Sequence, residues 1–265
     1  MMPTLNLQNI QYSQLDSTTW CATAQVTASC PLESLHLLSN FPLLFNANLL
    51  NIDTDKFSHI TWHYHIANAS LSARKIAYQQ RQQQRAGVRL LLQSLLNKLD
   101  IIDSLDDLSF PYRLVNSQYY VCFSHTGASS QNTSTQPSGE KPFNELDNKV
   151  AVVISCHRPA GIDIETNNVE WRVAKRFYHT NEIAILQALT FMQRDTVAKL
   201  LWQIKECFIK IHQYKLAKGL GIDYSYLIAD LTHAIREPSP LMIIADIKSD
   251  YRIAVLSAQQ TVVIF

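Results

Sequence analysis

The sequence has almost no excess charge of either sign. Lys and Arg number 23 against 22 Asp and Glu, which leaves +1 over 265 residues. Such a balance does not call for nucleic acid or a membrane surface as a partner. Cysteine is sparse and scattered: Cys21, Cys30, Cys122, Cys156 and Cys207, with no Cys-x-x-Cys pair. That spacing argues against a zinc ribbon and a disulfide framework. Free thiols in a reducing compartment are the simplest account, so a cytoplasmic location is expected. No uncharged apolar run approaches the roughly 20 residues of a membrane span. The first residues lack a basic stretch followed by an apolar core, so no signal peptide is expected. No strong internal repeat is visible. His63, His65 and His179 do not form a ligand set at zinc spacing.

What is present reads as an α+β chain. Ser70 to Leu99 is helical, with Val88, Leu91, Leu92, Leu95, Leu96 and Leu99 on one stripe. "SQYYVCFSHTG" reads as a strand running into a glycine turn. Ala128 to Asn148 is rich in Ser, Thr, Gln and Asn, which predicts a solvated loop or insertion. It divides the chain into an N-terminal half, 1–127, and a C-terminal half, 149–265. After it come an apolar strand, "KVAVVIS", a turn at His157–Ala160, and a short strand, "GIDIE". Helices are expected over about Asn181–Leu189 and Arg194–Tyr214, and several strands over the last 25 residues. Uneven segregation of helices and strands favours α+β over a regular βαβ repeat.

Three stretches could carry chemistry. In GIDIE, residues i and i+2 share a strand face, so Asp163 and Glu165 project together. At about 4 Å, two like charges repel by roughly 4 kcal/mol at an effective dielectric of 20. They need a cation between them or a place in water. In "DTVAKLLWQIKECFIKIHQY", Val197, Leu200, Leu201, Ile204, Cys207, Phe208 and Ile211 form the core stripe. The opposite stripe carries Trp202, Glu206, Ile209, Lys210 and Gln213, too apolar for a simple solvated face. Glu206 and Lys210 stand at i, i+4, so an exposed helical ion pair and a functional pair both remain open. Three carboxylates with a lysine nearby would suit Mg²⁺. "FSHTG" places Ser124 and His125 at a strand end with turn amides, a plausible phosphate cradle. Adjacent strand residues point to opposite faces, which argues against a Ser-His hydrolase pair. Arg81, Arg85 and Arg89 line one helical stripe that suits phosphate, an acidic partner or solvent.

In this order, "FSHTG", "GIDIE" and "WQIKECFIK", followed by "AKGLGIDYSYL", resemble the Sfp-type 4′-phosphopantetheinyl transferases. The likeness spans about Arg85 to Leu227. It implies two similar α+β subdomains related by pseudo-twofold symmetry, with the active site in the cleft between them. It implies that Asp163, Glu165 and Glu206 hold Mg²⁺, that Glu206 helps deprotonate the incoming hydroxyl, and that Lys210 stabilises charge on the diphosphate. Ser124 and His125 would contact the phosphates of coenzyme A, with Arg85 and Lys205 as further cofactor-binding residues. The family's Gly-Lys-Pro-like element is missing; "SFPYRLVNSQ" stands in its place, and Arg113 is the candidate substitute. The implied partners are coenzyme A and an apo acyl or peptidyl carrier protein, with a monomer sufficient. A metal-dependent phosphodiesterase and a non-catalytic coenzyme A or carrier-binding module are the alternatives.

Overall fold

A computed structural model describes residues 4–29, 73–126, 148–236 and 239–265. The polar segment before Asn148 and the pair His63 and His65 lie outside the described residues. The elements run β1 (Thr4–Gln14), β2 (Thr19–Ser29), α1 (Ala73–Lys98), β3 (Leu105–Asp106), β4 (Tyr112–Leu114), β5 (Tyr120–Thr126), β6 (Asn148–Ser155) and β7 (Gly161–Ile164). They continue with α2 (Trp171–Phe177), α3 (Thr180–Ala188), α4 (Phe191–His212), α5 (Leu216–Leu220), α6 (Ile228–Arg236), β8 (Met242–Ala245), β9 (Arg252–Leu256) and β10 (Thr261–Ile264). The chain is mixed α and β, with antiparallel sheets. No helix among the described residues is long and apolar enough to cross a membrane.

Among the described residues two sheets form, one of six strands in the order β1-β2-β6-β5-β4-β3 and one of four in the order β7-β10-β9-β8. β6 follows the polar segment in sequence, yet it lies between β2 and β5. The divide between the sheets therefore falls at residues 156–160, one strand later than the polar segment.

Strand alternation assigns each face of β6. Val150, Val152 and Ile154 pack with Leu91, Leu92, Leu95 and Leu96 of α1. Each fully buried leucine contributes about 1.5–3 kcal/mol. The intervening Ala151 and Val153 pack with Ile162, Ile164, Ala254 and Val263, between the two sheets. The second sheet's other face, through Val255, Val262 and Ile264, meets the apolar stripe of α4. All seven stripe residues, Val197 through Ile211, are buried. The layers are thus α1, first sheet, second sheet, and the helices around α4.

A buried polar knot fastens those helices. His179 caps α3 by accepting from the Asn181 N–H at 3.2 Å, and Glu182 returns the bond to the His179 N–H at 2.9 Å. This is a capping box built with histidine. The same Glu182, 0% exposed, accepts from the Tyr224 N–H at 2.8 Å and pairs with Lys205 at 2.8 Å. Asp223, next in the loop, accepts from the Ser225 N–H and the Asn181 amide. Burial pushes the Asp223 carboxyl up, but Ser225, Asn181 and the nearby His179 together hold it at about 2, below its usual 3.8.

A carboxyl held low in the folded state adds stability above its unfolded pKa, which is lost as pH falls through the folded value. Asp223→Asn should therefore lower stability at pH 6 by about 1 kcal/mol after solvent screening. The gap to wild type should close between pH 4 and pH 2. Urea midpoints at pH 6, 3.5 and 2.5 check this; a gap that stays constant across the series contradicts it.

Candidate functional site

β7 is an edge strand, so its outer backbone groups need partners from elsewhere. Two side chains supply them. The Ser124 hydroxyl, from β5, accepts from the Ile164 N–H at 3.2 Å, and Lys210, from α4, donates to the Ile162 carbonyl at 2.7 Å. Each then reaches the carboxylate between them: Ser124 Oγ and Lys210 Nζ both donate to Asp163 Oδ1 at 2.9 Å. The first sheet, the second sheet and α4 meet at this one oxygen.

Gly161 makes the approach of α4 possible. A Cβ there would lie 2.5 Å from the Cys207 carbonyl oxygen, so any other residue would lever β7 away from the helix. Gln203 adds a cross-tie, its amide donating to the backbone oxygens of Asp163 at 3.2 Å and Gln260 at 2.8 Å. Two residues past Asp163, the Glu165 carboxylate accepts from the Thr126 hydroxyl at 3.2 Å and the Asn167 N–H at 2.9 Å.

Glu206 faces this group from α4. Burial raises its carboxyl pKa; Lys210 opposes that, and Asp163 and Glu165 add to it by repulsion. The three acids of two distant segments thus lie within electrostatic reach of one another. Lys210 is 22% exposed along its side chain. Burial would lower its pKa, but Asp163 and the buried thiols Cys122 and Cys207 outweigh this and hold it above its ordinary value. Its ion pair is with Asp163, so the exposed Glu206–Lys210 helical pair is not the arrangement here.

His125 leaves β5 on the opposite face from Ser124 and is exposed at the rim. Crowding around the ring lowers its pKa; Lys210 and Arg85 lower it further, against the pull of Asp163. Arg85, exposed on α1, therefore borders the same rim. Arg113 is drawn elsewhere. Its guanidinium lies 4.2 Å from the Tyr120 ring centroid and donates to the Tyr120 hydroxyl at 2.7 Å. Tyr120 is four residues back along β5 from Ser124, or roughly 13 Å.

Two expectations need correction. Lys205 is 0% exposed, paired with Glu182 and flanked by the Tyr178 and Tyr224 rings at 5.2 and 5.1 Å. It cannot present its ammonium to a cofactor; it is a core residue. Ser124 is 6% exposed, with its hydroxyl taken up by Asp163 and Ile164. It orients an acid and is not free for a phosphate. The odd apolar members of the second α4 stripe are also explained. Trp202 packs on the core beside Tyr178, and Ile209 lies against α5, where a Cβ on Gly219 would come within 2.1 Å of it.

Sequence reading missed Thr126, Asn167 and Gln203. Only Thr126 carried a signal, since it shares a strand face with Ser124 two residues on.

The donor set is hard oxygen. Among the described residues, the hydrogen bonds to the Asp163 carboxylate all fall on Oδ1, and those to Glu165 all fall on Oε1. The second oxygen of each, with the Glu206 carboxylate, suits a small divalent cation that takes a few carboxylates and keeps water. As they stand, these side chains do not draw together into a closed cluster of three or more metal ligands among the described residues. Among the described residues Lys210 is the cation ion-paired within the group, with Lys199 in electrostatic reach of Glu165; a divalent ion would offset the repulsion from Asp163 and Glu165 that adds to the effect of burial on Glu206. Comparison with protein-family models and with characterised protein sequences gives no match to this chain.

Lys205→Met should destabilise the protein by about 3 kcal/mol or more, because it strands Glu182 in the core. Adding Glu182→Gln should recover part of the loss. Urea unfolding of the single and double variants tests this. Wild-type stability in Lys205→Met would overturn the core assignment.

Proposed function

We propose that the chain is a Mg²⁺-dependent 4′-phosphopantetheinyl transferase, moving phosphopantetheine from coenzyme A to a serine of an apo acyl or peptidyl carrier protein. The observation that carries this reading is the meeting of Asp163, Glu165, Glu206 and Lys210 beside β5, from segments about 40 residues apart. The finer architecture, two related halves around a coenzyme cleft, belongs to the same proposal. Its support is that each sheet has its own helix layer and that the acids lie at their junction.

Asp163, Glu165 and Glu206 would hold the Mg²⁺, which when bound neutralises phosphate charge. The rest is done by the chain's own groups. Glu206, within electrostatic reach of Asp163 and Glu165, would take the proton of the carrier serine hydroxyl. The serine oxygen forms a bond to the phosphorus that bears pantetheine. The bond from that phosphorus to the ADP portion breaks, and 3′,5′-ADP leaves with the electron pair. Lys210, held charged, stabilises the negative charge that grows on the leaving diphosphate oxygen. His125 and Arg85 at the rim suit the coenzyme phosphates, whereas Arg113 is engaged with Tyr120. Positioning and charge stabilisation dominate such phosphoryl chemistry. Carrier proteins are commonly acidic, and the exposed Arg81 and Arg85 would favour their encounter.

The test is to mix the protein, coenzyme A, Mg²⁺ and an apo carrier protein, then weigh the carrier by mass spectrometry. Phosphopantetheine on the carrier is expected. Free phosphopantetheine with an unlabelled carrier would point to a phosphodiesterase, and no reaction at all to a binding module. Asp163→Ala, Glu206→Ala and Lys210→Ala should each lower the rate by about 100-fold or more. A near-normal rate in Asp163→Ala or Glu206→Ala would refute the assignment.

A further inference from the structure

Asp163 in β7 and Glu165 just past its end are held from β5 by the same kind of contact. On β5, Ser124 and Thr126 stand two residues apart on one strand face. Across the junction, Asp163 and Glu165 are also two residues apart. The hydroxyls meet the carboxylates in step: Ser124 Oγ to Asp163 Oδ1 at 2.9 Å and Thr126 Oγ1 to Glu165 Oε1 at 3.2 Å, each spanning 39 positions in sequence. Both hydroxyl residues are buried, at 6% and 8% exposure, so water does not easily replace them. Each donates to one carboxylate oxygen. On Glu165 the backbone N–H and the amide of Asn167 choose the same Oε1. On Asp163, Lys210 chooses the same Oδ1.

We propose that Thr126 is a positioning residue. With Ser124 it forms a hydroxyl ladder from the first sheet to the second that fixes Oε1 of Glu165 and Oδ1 of Asp163, leaving Oε2 and Oδ2 directed to the cation. This rests on the metal site of the transferase reading. Thr126 suits the task, since its β-branched side chain allows few χ1 rotamers and its methyl can pack while its hydroxyl donates. Groups that orient metal-ligating carboxylates typically govern affinity by 10- to 100-fold. A purely structural hydroxyl between two strands would instead affect melting and leave cation affinity unchanged.

The experiment is Mn²⁺ binding to the whole chain by isothermal titration calorimetry, with melting temperatures taken in chelator. Thr126→Val, which keeps the shape and removes the donor, should bind Mn²⁺ about tenfold more weakly than wild type. Thr126→Ser should restore wild-type affinity, and the metal-free melting temperatures of these variants should stay close together. Wild-type affinity in Thr126→Val, with binding lost in Asp163→Asn, would overturn the ladder and leave the metal site standing. Wild-type affinity in Asp163→Asn would overturn the metal site and the ladder with it. Should Thr126→Val fail to fold, Ser124→Ala decides the same question on the other rung: about tenfold weaker binding supports the ladder, and unchanged binding overturns it.

Discussion

The free edge of β7 is the constraint on which the rest depends. A four-residue edge strand leaves backbone groups unpaired, and a buried unpaired group costs about 1–3 kcal/mol. Here the Ile162 carbonyl and the Ile164 N–H are taken by Lys210 and Ser124. Both side chains then converge on the intervening Asp163. Satisfying the backbone and building the charged group are therefore one event. The carboxylate cannot shift without disturbing the second sheet's edge, and β5 and α4 cannot separate without exposing it.

Of the three lysines of helix α4, Lys205 and Lys210 stand five residues apart, and burial gives them opposite parts. Lys205 points into the core, where Glu182 and two aromatic rings surround it. Burial pulls its pKa down. Lys210 lies a turn and a half further, on the side facing β7, and Asp163 holds its pKa up. The first fixes α4 against α3 and the loop at residues 222–224; the second presents a cation to the acids. Glu206 is placed between them by the helix itself, so the Glu182–Lys205 pair helps to set where Glu206 stands. A motif match cannot separate these parts, because both lysines belong to the same W-x-x-K-E-x-F-x-K pattern.

Much of the architecture was legible where periodicity is strong. The α1 leucines and the buried stripe of α4 repeat at helical spacing, and the valines of β6 read as a buried strand. The strand character of GIDI also followed from residue types, whereas the association of its acids with Glu206 of α4 came from the motif resemblance. The hairpin of β1 and β2 was not legible, since its apolar residues are interrupted by polar ones and a register shift between Gln8 and Gln11 breaks the alternation. The insertion of β6 between β2 and β5 is a long-range pairing that no local pattern encodes. Ser124 was misread for a related reason. A hydroxyl at a strand end looks available until the opposite sheet is in place.

Charge balance links the fold to the chemistry. Asp163, Glu165 and Glu206 bring three carboxylates to the junction; among the described residues Lys210 is ion-paired within it, and Lys199 lies in electrostatic reach of Glu165. A protein could relieve that excess by exposing the acids, but Asp163 is buried and Glu206 is partly so. Protonation is a second relief: burial raises the Glu206 pKa, and repulsion from Asp163 and Glu165 adds to it. A divalent cation would be the third, on the transferase reading. There, the anchoring of one oxygen of Asp163 and one of Glu165 would hold both carboxylates in fixed directions toward a small ion.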